Sequence, residues 1–166
     1  TYGATPILVG GSVRYFCLNI PIKDYDIEIF GINSLEIIQN CLEKFGSVKL
    51  VGKSFGVLTL RVNEYDFDFA LSRTETKIGL SHKDFEVITI ASLSFKEAAI
   101  RRDFTINAIG YDFFKEEFID PFDGIEDLRT KTIKHINDKT FIEDSLRVYR
   151  AVAFASRFNF KIEEKT

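Results

Sequence analysis

"LVGGSVRYFCLNIPIKDYDIEIFG", residues 8–31, is the stretch on which the fold turns. Residues 7–9 read as a short apolar strand, Gly10 and Gly11 as a turn, and 11–18 as a helix with apolar positions at helical spacing. From Asp24 the period drops to two. Asp24, Asp26 and Glu28 then fall on one side of a strand over 25–30, and Tyr25, Ile27 and Ile29 on the other. Strand, turn, helix and strand in that order argue for an α/β domain.

Both halves of the stretch carry chemistry. Glycines between a strand and a helix let the backbone approach a phosphate, and the helix N-terminus offers unpaired N–H groups with a favourable dipole. Arg14, one turn further on, adds a charge-assisted donor. The same Gly-Gly pair also serves as a plain strand-to-helix turn. Asp24 and Asp26 present two carboxylates to one place, and their repulsion is relieved by a divalent cation that also accepts substrate phosphates. The alternative is a solvated strand face, with Glu28 extending the alternation and one or two of the three acids in water.

Outward from this stretch, strands are expected near 48–51, 57–62, 65–71, 108–112 and 132–136, and helices near 34–44, 94–101, 123–129 and 140–158. Ser34 and Asp123 stand where N-caps belong. The runs 57–62 and 65–71 are too close for a helical crossover, so they form a hairpin and the sheet is mixed, α+β in character. A boundary is expected near 137, dividing a domain of residues 1–137 from the start of a helical one at 138–166. No strand is expected after that last helix.

Composition bounds the function. With 166 residues, 45% of them hydrophobic, there is enough for one sizeable core. No apolar run approaches the roughly 18–20 residues of a membrane span, and the N-terminus lacks the order of a secretory signal. A soluble, cytoplasmic protein without a membrane partner is expected. The first residue is Thr1 and the last ones are "FNFKIEEKT", which reads as a fragment. Cys17 and Cys41 accompany no Cys-x-x-Cys or Cys/His cluster and read as core residues. The net charge of −3 hides an asymmetry, since acids collect at 24–28 and 64–68 and arginines at 101–102 and 147–157.

Three further stretches matter. "EYDFDFALSRTE" repeats the paired acids, with Asp66 and Asp68 on one face of the hairpin's second strand. A neighbouring strand of this kind brings a third carboxylate to the first pair, as two-metal phosphoryl or nucleotidyl transfer requires. "RRDFTINAIGYD" sets Arg101, Arg102 and Asp103 just before an apolar run, where charges are costly without partners. They suit phosphate or ribose contacts, or alternatively an arginine-rich helix end. "FIEDSLRVYRAVAFASRF" places Asp144 and Arg147 three apart on one helical face, either a surface ion pair or an acceptor and forked donor for a base edge.

Taken in order, Gly-Gly-x-Val-Arg, Asp-x-Asp, Arg-Arg-Asp-Phe-Thr-Ile-Asn-Ala, Asp-Pro-Phe-x-Gly-x-x-Asp-Leu and Glu-Asp-x-x-Arg-x-x-Arg-Ala resemble the class II tRNA nucleotidyltransferase and bacterial poly(A) polymerase family. The resemblance implies a polymerase-β-like nucleotidyltransferase head followed by the start of a helical neck. It implies template-independent addition of C or A, from CTP or ATP, to an RNA 3′ end. Gly10, Gly11, Ser12 and Arg14 would hold the triphosphate, and Asp24, Asp26 and Asp68 would be the catalytic carboxylates that bind Mg²⁺ or Mn²⁺. Arg101, Arg102, Asp103 and Asn107 would meet sugar and phosphate, while Asp144 and Arg147 would read the base and Arg150, in the same motif, would also bind the nucleotide. "ALSRTETKIGLSHKDFEV" looks more like members that mature tRNA by CCA addition than like poly(A) polymerases. An A-adding or poly(A)-adding enzyme, or an inactive nucleotide-binding or RNA-binding module, are the alternatives. Two positions depart from the family: Tyr15 stands where aspartate is usual and removes a local partner of Arg14, and Ala153 stands where arginine or glutamine is frequent.

Overall fold

A computed structural model describes residues 3–51, 56–77 and 85–166. The chain opens as β1 (Thr5–Val9), α1 (Gly10–Cys17), β2 (Asp24–Phe30) and α2 (Leu35–Leu42). It continues through β3 (Val48–Val51), β4 (Val57–Val62), β5 (Tyr65–Leu71), the ribbon strands β6 (Arg73–Lys77) and β7 (Phe85–Thr89), and α3 (Phe95–Ala99). A 3₁₀ turn at Thr105–Asn107 leads into β8 (Gly110–Asp112), β9 (Glu117–Ile119), α4 (Gly124–Arg129) and β10 (Thr132–Ile133). The last elements are α5 (Asp138–Ile142), α6 (Leu146–Phe158) and β11 (Lys161–Ile162). Residues 78–84, within the "ALSRTETKIGLSHKDFEV" segment, lie outside the described residues.

Among the described residues the main sheet has seven strands in the order β3-β4-β5-β2-β1-β8-β9. It is mixed, as the short link between 57–62 and 65–71 requires: β4 and β5 form an antiparallel hairpin, whereas β2 and β5 run parallel. The alternation that begins at Asp24 decides what each face of β2 does. Ile27 and Ile29 pack with Ile38, Leu58 and Leu71, while Phe30 packs on the opposite face with Ile7, Val9 and Ala98. A third cluster joins Leu8 and Val13 to Phe104, Ile106, Ile109, Leu128, Ile133, Phe141, Ala151 and Phe160. This core therefore runs across residue 137, and each buried phenylalanine in it contributes about 1.5–3 kcal/mol through lost apolar hydration.

Several local expectations change. The helix expected over 140–158 is two helices, broken at Glu143–Ser145, where Asp144 accepts from the Leu146 N–H at 3.0 Å and turns the chain. A strand does follow α6: β11 pairs in parallel with β10, after Asn159 takes a left-handed φ of 55°. Cys17 is exposed and Cys41 half-buried, because α1 turns its Cys17 side away from the sheet. Asp123 holds the N-cap position of α4 as expected, but its side chain makes no cap hydrogen bond. It sits at φ 59°, and Asp120 supplies the cap, accepting from Gly124 N at 2.7 Å and Ile125 N at 2.8 Å. Asp120→Ala is expected to cost about 1–2 kcal/mol in chemical denaturation and Asp123→Ala less than half of that; the reverse ranking would return the cap to Asp123.

Candidate active site

The glycine turn is built for close approach. Gly10 has φ 66°, and a Cβ there would stand 3.3 Å from both Arg102 Nη1 and Asp26 Oδ2. A side chain at position 10 would therefore meet strain and two neighbours at once. Val9 caps α1 without a side-chain hydrogen bond, and the first turn holds no acid, so no side chain of α1 itself competes for its first N–H groups. Ser12 is buried and accepts from the Asp26 backbone N–H at 2.9 Å. It ties α1 to β2 at the position of the acid.

The parallel pairing of β2 with β5 puts Asp24 opposite Asp66 and Asp26 opposite Asp68. Asp66 turns to Arg61 at 3.7 Å, whereas Asp68 accepts from Thr59 Oγ1 at 2.5 Å. Asp26 is exposed to solvent at the cleft, although protein lies close around its carboxyl. That crowding pushes its carboxyl above the ordinary range, and Asp68 and Asp24 push further, against the pull of Arg102 and Arg14. Among the described residues no three His, Cys, Asp or Glu side chains close on one point as a finished metal cage would. Carboxylates in register, with space left for water and substrate oxygens, are the hard donor set of Mg²⁺ or Mn²⁺, and the residues present fit such an ion.

Glu28 corrects the picture of a solvated third acid. It is 2% exposed, and its two oxygens pair with Arg101 at 3.2 Å and Arg102 at 2.8 Å. Burial alone would raise its pKa, but the two guanidinium groups outweigh that and hold it below the ordinary value. Arg102 then reaches the cleft in a fixed pose, with Nη1 3.4 Å from the Asn107 carbonyl.

A chain of hydrogen bonds crosses the cleft floor. Arg150 on α6 donates to Asp103 Oδ2 at 2.6 Å, and Asp103 Oδ1 accepts from Asn107 Nδ2 at 2.8 Å. Asn107 Oδ1 in turn accepts from Arg14 Nη1. Asp103 and Asn107 are buried, and this chain of bonds supplies partners for their side-chain oxygens. On the far wall the Arg147 guanidinium donates to the carbonyls of Arg101 at 2.6 Å and Arg102 at 3.2 Å. Asp144 precedes α6 instead of sharing a helical face with Arg147, but both border the cleft.

The cleft measures about 590 Å³. Its walls include Gly10, Gly11, Arg14, Asp26, Arg102, Asp103, Asn107, Asp144, Arg147 and Arg150, which sequence reasoning had already gathered. Ser12, Asp24, Asp68 and Arg101 do not line it, although Asp68 pairs in register with the wall residue Asp26. Leu146 and Phe154 are wall residues that sequence reasoning missed as such, because both fit the apolar stripe of α6. Thr59 was missed too, although the hairpin's register sets it opposite Asp68.

Residues 7–134 match the model of the poly A polymerase head domain. The chain belongs to that family. It is 38% identical over 159 residues to a protein from Nitrosospira multiformis named multifunctional CCA protein, covering 96% of this chain and 36% of that one. The chain thus spans just over a third of that relative's length. Among solved structures, a tRNA-processing enzyme with CTP superposes with a TM-score of 0.81 at 32% identity, over 99% of this chain and 41% of that one. A tRNA nucleotidyltransferase complexed with a primer tRNA and an incoming ATP analog superposes at 0.79, also at 32% identity, over 99% and 45%. No helix among the described residues is long and apolar enough to cross a membrane.

Proposed function

We propose that this chain is the catalytic part of a template-independent nucleotidyltransferase that adds C and A from CTP and ATP to tRNA 3′ ends. The observation that carries the reading is the β2–β5 register, which sets Asp26 beside Asp68 while Asp26 Oδ2 lies beside the Gly10 turn. The relatives named above support it: one is named for CCA, one holds CTP, and one holds a primer tRNA with an ATP analog. In this reading residues 1–137 form the head and 138–166 begin a helical region that reads the base.

The residues divide the work. The Gly10–Gly11 amides and Arg14 take the triphosphate, with Ser12 holding the turn to β2. Arg102, Asp103 and Asn107 border the sugar, with Arg101 locking Arg102 through Glu28. Asp24, Asp26 and Asp68 hold Mg²⁺ or Mn²⁺, which when bound neutralises the triphosphate and activates the attacking hydroxyl. All three carboxylates are present, which disfavours an inactive module.

The test is nucleotide addition to tRNA ending before, within and after CCA, with CTP and ATP supplied separately. Addition of A alone, or a long A tail, would move the chain to the A-adding or poly(A) members of the family.

Base choice supplies a second prediction. The Asp144 oxygen left free by Leu146 accepts from an exocyclic amine, which C and A share, while Arg147 donates to ring nitrogen or carbonyl. A U or G carbonyl would face that acceptor unpaired, at about 1–3 kcal/mol. Asp144→Ala is expected to narrow discrimination against UTP and GTP by about tenfold or more, measured as kcat/KM for the four nucleotides. Unchanged ratios would remove Asp144 from base selection.

A further inference from the structure

Arg14 is an unusual cation. It is 5% exposed, yet among the described residues its side-chain hydrogen bond goes to the amide oxygen of Asn107 rather than to a carboxylate, and its Nε–H is buried without a partner. Three aromatic rings take the place of an anion. The guanidinium carbon lies 4.8 Å from the centroid of Tyr15, 4.9 Å from Phe154 and 5.2 Å from Phe158. The rings brace one another, with Phe154 and Phe158 stacked at 5.9 Å and Tyr15 edge-on to Phe158 at 6.2 Å. From outside, Arg157 lies over Tyr15 at 5.6 Å and over Phe158 at 5.7 Å.

The geometry has a direction. Arg14 Nη2 sits 3.4 Å from where a Cβ on Gly11 would stand, so the guanidinium lies against the glycine turn. Nη1 is fixed by Asn107, the rings of Tyr15, Phe154 and Phe158 flank the guanidinium, and Arg14 still lines the cleft. An aspartate beside Arg14 would neutralise its charge; a ring quadrupole holds the cation and leaves its charge available. Two of the three rings come from α6 and one from α1, so the cage also docks the base-side helix onto the phosphate-side helix.

We propose that Tyr15, Phe154 and Phe158 are positioning residues that hold Arg14 at the glycine turn by cation–π contact, so that an un-neutralised guanidinium meets the anionic tail of the substrate. This rests on the nucleotide reading above and adds to it the device that aims one of its cations.

The experiment measures the Kd of inorganic tripolyphosphate and of CTP by calorimetry with Mg²⁺ present. Tyr15→Phe keeps the ring and removes only the hydroxyl, which also interacts with the Arg14 guanidinium, and is expected to stay within about twofold of the parent. Tyr15→Leu and Phe154→Leu are expected to weaken both ligands by about fivefold to tenfold, equally for the two, because the loss concerns the phosphate end. In an Arg14→Lys background, whose compact ammonium lacks the planar stack, Tyr15→Leu is expected to add less than twofold. Parent-like tripolyphosphate affinity in a folded Tyr15→Leu protein, or full additivity with Arg14→Lys, would overturn the cage. A parent that binds neither ligand would overturn the nucleotide reading itself, and the cage with it.

Discussion

Asp26→Asn is expected to reduce nucleotide addition at least about a thousandfold while leaving the protein as stable as the parent or slightly more so. Several kcal/mol of transition-state charge stabilisation depend on the carboxylate cluster, and each 1.4 kcal/mol is a factor of ten. The stability half follows from the pKa direction. Crowding by protein and the nearby Asp68 and Asp24 raise the folded-state value above the unfolded one. Such an acid costs stability above its unfolded pKa, and the cost fades as pH falls through the folded value, because the folded state then holds the extra proton. Asparagine removes that cost at neutral pH, modestly because solvent reaches the site. Thermal unfolding with and without Mg²⁺ provides the second readout: the ion is expected to raise the parent's Tm, since it binds the folded state, and to raise that of Asp26→Asn much less. Parent-like addition by Asp26→Asn would sink the metal assignment.

How far the sequence could be read follows from the range of each signal. Alternation of acids and apolar residues over 24–30 is a period, and periods survive without tertiary information; hence β2 and its two faces were legible. So was the hairpin, because only Asn63 and Glu64 separate β4 from β5. Counting back from that turn reaches Thr59 opposite Asp68, so this partner was also open to sequence reasoning. The β2–β5 adjacency was not, since nothing local dictates which strand lies beside Asp26. Cap and break positions failed for a different reason. Asp120 and Asp123 are both acids before α4, and only the backbone angle at Asp123 separates them. Asp144 fits a continuous helical stripe by spacing, yet its side chain competes for the Leu146 N–H and ends the preceding turn. Glu28 shows the limit most plainly. Its place in the alternation predicted its face, but its burial depends on two arginines more than seventy residues away.

That buried acid carries the second large expectation. Glu28→Gln is expected to destabilise the fold by about 3–5 kcal/mol, because removing one member of a buried ionic cluster leaves the others uncompensated. Here two guanidinium groups would face a neutral amide, and the buried Arg102 Nε–H already lacks a hydrogen-bond partner. For a domain of this size the change corresponds to a Tm lower by roughly 6–20 °C. The pH dependence has the opposite sign to that of Asp26. Arg101 and Arg102 outweigh the burial of Glu28 and depress its folded pKa, so its contribution is complete above the unfolded value of about 4.3 and is lost as pH falls through the folded one. The Tm gap between the parent and Glu28→Gln should therefore be wide at neutral pH and close towards the acid end, where the parent's Glu28 is neutral as well. A gap of constant width would mean that shape rather than charge sets the cost. The same substitution also frees Arg102 from the pose in which it borders the cleft. Because Arg102 lines the cleft beside the Gly10 turn, nucleotide addition by Glu28→Gln is expected to fall even at temperatures where the variant stays folded. The two acids of one strand thus take different parts: Glu28 fixes two arginines in place, and Asp26, two residues earlier, borders the cleft, where the proposed function would have it hold a cation.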